Sequence, residues 1–410
     1  MKDLEIFMNC RICGADRLEL VLDLGAQPWC NHFLEKKELG EEPHYPLRLI
    51  YCHDCTTSQL DFTVKKEIMF GDHTYLSGIT KSLSEHFEKI AIEADQNLLN
   101  DQSIHKSILD IGSNDGTQLK HFQKLGYEVL GVESSIKTAK LANDAGVPTL
   151  NAFFNLETMQ KIGKQFDLMN AAGVFFHLEE LHSVCEAIKF GLKKKGVFIV
   201  QFLYMKNIME NVAFDQIYHE HLLYYTLKTI QNLLNRHDLS LFDAYLAPIH
   251  GGSVIAYVGH KGEYEKTARL HEMIKVEDQS QCNAFEAYKK FACEVQEMKQ
   301  ENLSFLHQCQ KNKKRVFGFG APVKGNTLLN YFEIGTDLIE CLVEKNELRK
   351  NLYSPGMHIP LRIESELGED LPDVYYVLAW NFKDEILKNN QHLIKKGIQF
   401  YFPVNPREIN

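Results

Sequence analysis

SILDIGSNDG, Ser107 to Gly116, is the stretch whose reading decides the fold. An apolar run from Ser107 to Ile111 ends in a glycine-bounded turn, and a helix is expected to begin near Thr117. Buried strand, tight turn and helix in that order open a βαβ unit. Gly112 and Gly116 let the backbone turn sharply and approach a ligand closely. The turn is GxNxG, not GxGxxG. A second apolar run, Glu128 to Val132, ends in Glu133, and an acid so placed accepts both hydroxyls of a ribose. Further strands are expected near Pro148 to Ala152, at Phe166 to Ala172 and at Gly196 to Phe202, with a helix from Glu179. Residues 71–245 therefore read as an α/β domain.

Two cofactors suit a strand, a glycine turn and a ribose-binding acid. NAD needs a turn tight enough for its pyrophosphate, and a carboxylate beside that pyrophosphate is repulsive. S-adenosylmethionine carries no phosphate and tolerates Asn114 and Asp115 in the turn, so the loop favours it. His177, in AAGVFFHLEE, follows the fourth strand at the carboxyl end of the sheet, where such folds bind ligands.

Downstream, FDQIYHEHLLYYT, Phe214 to Thr226, concentrates proton-handling side chains: Tyr218, His219, Glu220, His221, Tyr224, Tyr225 and Thr226. As a helix it would place Tyr218, His221 and Tyr225 on one face, pairing an imidazole that titrates near neutral pH with phenols and a carboxylate. His219 and His221 are two apart, unlike the i, i+4 spacing of a helical zinc site, so proton transfer is the better reading.

Upstream, Cys10 and Cys13 in NCRICG and Cys52 and Cys55 in YCHDCT form two CxxC knuckles. Four thiolates from two tight turns suit one tetrahedral zinc, with no position left open for substrate. Residues 14–51 separate the pairs, so an excursion lies between them. Cys30 and His53 are lower-ranked ligand candidates. Residues 1–70 are expected to be a zinc-binding module whose metal replaces a core it is too short to build.

The C-terminal part, 246–410, opens with HGGS, His250 to Ser253, before a strand at Val254 to Val258. Residues 263–311 are charged and free of proline and glycine, so one or two long helices are expected. RVFGFGAPVKGNTLLNY then repeats strand, glycine turn and helix, and Lys324, Asn326 and Thr327 beside a helix N-terminus suit an anion such as a phosphate. YSPGMHIP, Tyr353 to Pro360, reads as a turn able to close over that site, and VYYVLAW, Val374 to Trp380, as a buried strand.

Whole-chain properties narrow the class. The chain has 410 residues, a formal net charge of −10 and a sequence pI near 6, which gives no basic footprint for nucleic acid or anionic lipid. The start, MKDLEIFMNC, lacks a signal-peptide pattern, no apolar run reaches the roughly 20 residues of a membrane span, and the ten cysteines do not look like a secreted disulfide scaffold. A cytoplasmic location with reduced thiols is expected.

Read together, CxxC…CxxC, IGSNDGT, FDQIYHEHLLYYT, HGGS, GFGAPVKGNTLLNY, YSPGMHIP and LAWNF resemble, in order and over essentially the whole chain, the sugar C-methyltransferases that act on C-3 of nucleotide-linked 4-keto-6-deoxyhexoses. The resemblance implies an α/β protein of three parts: an N-terminal zinc-binding module, a central Rossmann-like class I methyltransferase domain and a C-terminal Rossmann-like α/β domain. It implies structural zinc on Cys10, Cys13, Cys52 and Cys55, and S-adenosylmethionine on Gly112, Ser113, Asn114, Gly116 and Glu133. His221 is the implied base at C-3, with Tyr218 and Glu220 orienting it or stabilising an enolate, and with Tyr75 and His177 lining the sugar pocket. Sugar-nucleotide contacts are expected from His219, Tyr224, His250, Gly251, Lys324, Asn326, Thr327 and His358, with dTDP or GDP as the nucleotide and a monomeric enzyme. The chain departs from the family where Val254 and Ile255, rather than an arginine, follow HGGS, and where AAGVFFH lacks asparagines. O- or N-methylation of a nucleotide sugar, a nicotinamide-dependent sugar oxidoreductase and a non-enzymatic zinc-ribbon binding module are the competing readings.

Overall fold

Three sheets organise the chain, and the order of their strands explains how residues far apart in sequence meet. The computed structural model describes residues 8–71, 76–79, 81–97 and 106–404. In the N-terminal module, strands β1 (Leu18–Pro28), β2 (His44–Cys52) and β3 (Ser58–Leu60) form an antiparallel sheet. The excursion between the CxxC knuckles is thus the β1–β2 hairpin with its long connection.

The central sheet contains β4 (Ser107–Ile111), β5 (Glu128–Glu133), β6 (Thr149–Asn151), β7 (Phe166–Ala172) and β8 (Leu192–Leu203). All five β4 residues are buried, as expected of a central parallel strand covered on both faces. β4 pairs in parallel with β5 on one side and β7 on the other, and β6 and β8 extend the sheet outward. One further strand, β9 (Leu223–Tyr224), leaves this domain and pairs with β3, adding a fourth strand to the N-terminal sheet. The hairpin β10 (Leu239–Ala247) and β11 (Ser253–His260) completes the central sheet in the order β10-β11-β8-β7-β4-β5-β6, with β11 antiparallel to both neighbours. The hairpin spans 245–246, where the sequence suggests a domain boundary. One apolar cluster on this sheet draws in Ile90, Ala91 and Ala94 of the helix Lys81–Asn97 and Leu119 and Phe122 of the helix Thr117–Lys124. A larger cluster on its other face runs without a break into the zinc module and the C-terminal domain.

Helices Ala268–Ser280 and Phe285–Lys311 lead to the C-terminal sheet. It is wholly parallel, in the order β14 (Leu361–Ile363), β13 (Leu342–Glu344), β12 (Val316–Phe319), β15 (Val374–Val377) and β16 (Gln399–Tyr401). The helix Val323–Phe332 follows β12. Its Gly325 is a packing glycine, since a Cβ there would lie 3.1 Å from the Leu378 Cβ. No described helix is long and apolar enough to cross a membrane.

Candidate active site

A cleft opens at the carboxyl ends of β4, β5 and β7, lined among others by Gly112, Asn114, Glu133, Phe153, Val174 and His177. Gly112 has φ +67°, and a Cβ on it would sit 3.0 Å from the Val174 side chain, so only glycine keeps this wall of the cleft open. Glu133 is fixed before any ligand arrives: Asn114 N–H donates to its Oε2 at 2.9 Å and Ser135 N–H to its Oε1 at 2.8 Å. Burial raises the carboxyl's pKa while these donors oppose the rise. A carboxylate has about four lone-pair sites, so it can accept from a ribose hydroxyl as well. The glycine wall and the acid at the strand end fit S-adenosylmethionine.

Two expected contacts of this cofactor do structural work instead. Ser113 is buried against β5, its side chain filling the space that a Cβ on Gly131 would need, and Gly116, at φ +75°, packs on Val147 at the start of the next helix. Neither is among the residues around the cleft. Asn114 and Asp115 have a role the sequence does not suggest: their side-chain oxygens accept from Ser77 N–H and Gly78 N–H, both at 2.9 Å, and so fasten the interdomain segment beside the cleft. Lys66 and Phe70 of the N-terminal module also reach the cleft. Lys66 N–H donates to Glu179 at 2.9 Å and its ammonium pairs with Glu180. Nothing in the local sequence of either residue marks it, because the contact is made across more than 100 residues.

The FDQIYHEHLLYYT stretch is not a helix. Phe214–Gln216 makes one 3-10 turn, residues 218–220 form a bend and turn, and β9 begins at Leu223. Its backbone is taken by three partners: Leu222 N–H donates to Phe176 O at 2.8 Å, Leu222 O accepts from Leu60 N–H at 3.0 Å, and Tyr225 O accepts from Met205 N–H at 2.9 Å. These long-range bonds outweigh the helical spacing of its side chains. His221 is 3% exposed. Its Nδ1 lies 2.8 Å from Gln216 O. A carbonyl only accepts, so Nδ1 carries the proton and Nε2 is the basic nitrogen of the neutral ring. The Tyr218 ring lies 3.8 Å from the His221 ring centroid and the His177 ring 5.2 Å from it. His177 stacks on Phe70 at 5.3 Å and lines the cleft, so His221 stands one ring behind it.

Glu220, 4% exposed, turns toward the N-terminal module. Its Oε1 accepts from Trp29 Nε1 at 2.7 Å and from Asn31 Nδ2 at 3.2 Å. Burial pushes its carboxyl up to about 7, and the two donors oppose that rise. His219 turns away from both neighbours. It packs edge-on against Tyr45, with Nε2 3.3 Å from Tyr45 O, and burial pushes its imidazole down to about 4. Tyr224 is buried within β9. His219 and Tyr224, expected as sugar-nucleotide contacts, both join the turn to the zinc module.

The expected phosphate cradle is also closed by packing. Asn326 and Thr327 are 1% and 0% exposed, and Asn326 Nδ2 donates to Cys30 O at 2.7 Å. Lys324 lies over the Trp380 ring at 3.7 Å, its Nζ 3.6 Å from Asp215 Oδ2, which also accepts from Trp380 Nε1 at 2.7 Å. Burial lowers the ammonium to about 8. A lysine whose charge is matched by a buried aspartate makes a weak pyrophosphate receptor. His358 pairs with Glu42 of the N-terminal module at 2.5 Å. Gly251 comes close to Trp380 and Gln216. Tyr75 lies outside the described residues, as does the side chain of His250.

Away from the cleft, the Sγ atoms of Cys10, Cys13, Cys52 and Cys55 lie within 4.8 Å of one another, with Cys10–Cys55 and Cys13–Cys52 at 3.5 Å. Zinc–sulfur bonds of about 2.3 Å put tetrahedral sulfurs roughly 3.8 Å apart, so the four thiols fit one zinc. Cys30 and His53 stand outside this group.

Three family models match in succession: a putative zinc binding domain over residues 10–70, a methyltransferase domain over 83–243 and a C-methyltransferase C-terminal domain over 248–405. The chain belongs to the C-methyltransferase family built of these three modules. It is 29% identical over 409 residues to C-methyltransferase NovU of Streptomyces niveus, covering 98% of this chain and 97% of that protein. Among solved structures, an S-adenosylmethionine-dependent methyltransferase from Clostridium acetobutylicum covers 44% of this chain and 91% of its own at 14% identity and a TM-score of 0.35. The CcbJ methyltransferase of Streptomyces caelestis covers 43% and 90% at 15% identity, also with a TM-score of 0.35. By its family modules and its thiol cluster, this C-methyltransferase uses S-adenosylmethionine, carries a four-cysteine zinc module and adds a parallel α/β domain at its C-terminus.

Proposed function

We propose that this C-methyltransferase methylates C-3 of a nucleotide-linked 4-keto-6-deoxyhexose, with His221 as the base. The observation that carries the reading is the 2.8 Å contact of His221 Nδ1 with Gln216 O: a carbonyl only accepts, so a proton on Nδ1 is committed to it and Nε2 is the nitrogen left to act as base, in a buried ring beside the cleft. A carbon next to a ketone is acidic enough for an imidazole to deprotonate when the resulting enolate is stabilised. O-methylation needs no such carbon base.

In this account His221 Nε2 takes the C-3 proton, leaving the electron pair in the enolate joining C-3, C-4 and the ketone oxygen. Tyr218, whose ring lies 3.8 Å from that of His221, and Glu220, the preceding residue, are assigned to orient the base or to stabilise that enolate. When bound against Gly112, Asn114 and Glu133, S-adenosylmethionine supplies an electrophilic methyl group. His177, which lines the cleft with Phe70, adjoins the base, and the buried position of His221 keeps bulk water from quenching the enolate. Tyr75 and His177 are assigned to the sugar pocket. The relationship to NovU supports C-methylation, and the sugar substrate is this proposal's own extension.

The test is solvent exchange. With S-adenosylhomocysteine in place of the methyl donor, the enzyme should exchange the C-3 hydrogen of a dTDP- or GDP-4-keto-6-deoxyhexose for deuterium. His221→Asn should slow both exchange and turnover by about 10²–10⁴-fold while binding S-adenosylhomocysteine normally. Undiminished exchange in His221→Asn would remove His221 from the role.

A further inference from the structure

The connection between β1 and β2 of the zinc module reaches into the catalytic turn. Trp29 Nε1 and Asn31 Nδ2 both donate to Glu220 Oε1, at 2.7 and 3.2 Å, across 191 and 189 positions of sequence. The loop that carries both donors is itself held by the C-terminal domain. The Cys30 carbonyl accepts from Asn326 Nδ2 at 2.7 Å, and Leu34 exchanges two backbone hydrogen bonds of 2.9 Å with Tyr353. Glu220 thus meets a loop braced by the C-terminal domain, not a free surface segment.

We propose that Trp29 and Asn31 are positioning residues of the methyl-transfer reaction: the zinc module fixes the Glu220 carboxylate in the catalytic turn through their two side-chain N–H groups. This inference rests on the proposed role of Glu220. It gives the N-terminal module a function in turnover besides its own folding.

The physical basis is simple. A carboxylate buried in an apolar setting favours its neutral form, and N–H donors restore the charged one. Two donors on a single oxygen also fix which oxygen faces away from the zinc module, and so fix the rotamer. The titratable groups set against Glu220 are Cys30 on the same loop and Tyr218 on the turn, with His219 and His221 flanking it in sequence. Of these, burial raises Cys30 and Tyr218 and lowers His219, which keeps those three uncharged through neutral pH.

The experiment compares wild type, Trp29→Phe, Asn31→Ala, Glu220→Gln and Trp29→Phe/Glu220→Gln as full-length zinc-loaded proteins, each checked for an unchanged melting temperature and S-adenosylhomocysteine affinity. The pH profile of kcat/KM is measured with the sugar nucleotide that wild type turns over. The inflection that belongs to Glu220 is the one lost in Glu220→Gln. Trp29→Phe keeps the ring and loses only the N–H, so it should lower kcat by about tenfold and move that inflection to higher pH, with Asn31→Ala doing the same to a smaller extent. In the Glu220→Gln background Trp29→Phe should add little. If Trp29→Phe lowers activity with the inflection in place, or adds its full effect to Glu220→Gln, the positioning role is overturned. If Glu220→Gln itself keeps wild-type activity and profile, the role given to Glu220 fails, and this inference with it.

Discussion

Gly112 and His219 show how single residues set the limits of this site. At Gly112 the left-handed backbone and the Val174 side chain 3.0 Å from a virtual Cβ both exclude a larger residue. Gly112→Ala carries a conformational cost of about 1–2 kcal/mol, borne by the loop that faces the cofactor. Calorimetric titration should show S-adenosylhomocysteine binding weakened by about tenfold, whereas unchanged affinity would place the cofactor elsewhere. His219 is held neutral by burial against Tyr45, its pKa at about 4 against about 6.5 in an unfolded chain. The unfolded state therefore binds this proton at a higher pH than the folded state does. Stability from this group is intact above about pH 6.5 and is lost as pH falls toward 4, by about 3 kcal/mol over that window. The melting temperature of His219→Gln should fall less steeply than that of wild type between about pH 6.5 and 4, and parallel curves would show that His219 does not carry the acid sensitivity.

At the scale of elements, the stretch that follows Tyr218–His221 is held by three neighbours: Phe176 in the 3-10 turn after β7, Met205 at the end of β8 and Leu60 in the sheet of the zinc module. β9 pairs with β3, which follows directly on the Cys52–Cys55 knuckle, so the four-cysteine site, the sheet and the Tyr218–His221 turn form one mechanical series. A strong chelator should therefore reduce turnover together with the melting temperature of the zinc module, and zinc should restore both. Full activity in a protein shown to have lost its zinc would separate the module from the site. This coupling also marks the limit of the sequence reading. The strands Ser107–Ile111, Glu128–Glu133 and Phe166–Ala172 are legible because each is a short apolar run bounded by turn residues, which is a local signal. The Tyr218–His221 turn is not. Tyr218, His221 and Tyr225 keep helical spacing, but the partners that bend the chain are Leu60, Phe176 and Met205, none of them near in sequence. For the same reason no local pattern points from Trp29 and Asn31 to Glu220. Lys324 and Asn326 read as part of a phosphate cradle while their partners Asp215 and Cys30, distant in sequence, are out of view.

For the whole molecule, three modules converge on one small region. The central domain provides the cofactor cleft and His177, the zinc module holds Glu220 and contributes Lys66 and Phe70, and the C-terminal helix braces the loop between them. The motifs announce these modules in order, and the family matches follow the same order. The central claim is that this assembly makes a carbon–carbon bond at C-3 of a keto sugar. Its most direct test is NMR of the products formed from S-adenosylmethionine labelled with ¹³C in its methyl group and a panel of dTDP- and GDP-4-keto-6-deoxyhexoses. The account predicts a labelled methyl singlet on a quaternary sugar carbon, and a labelled methyl on oxygen or nitrogen would contradict it.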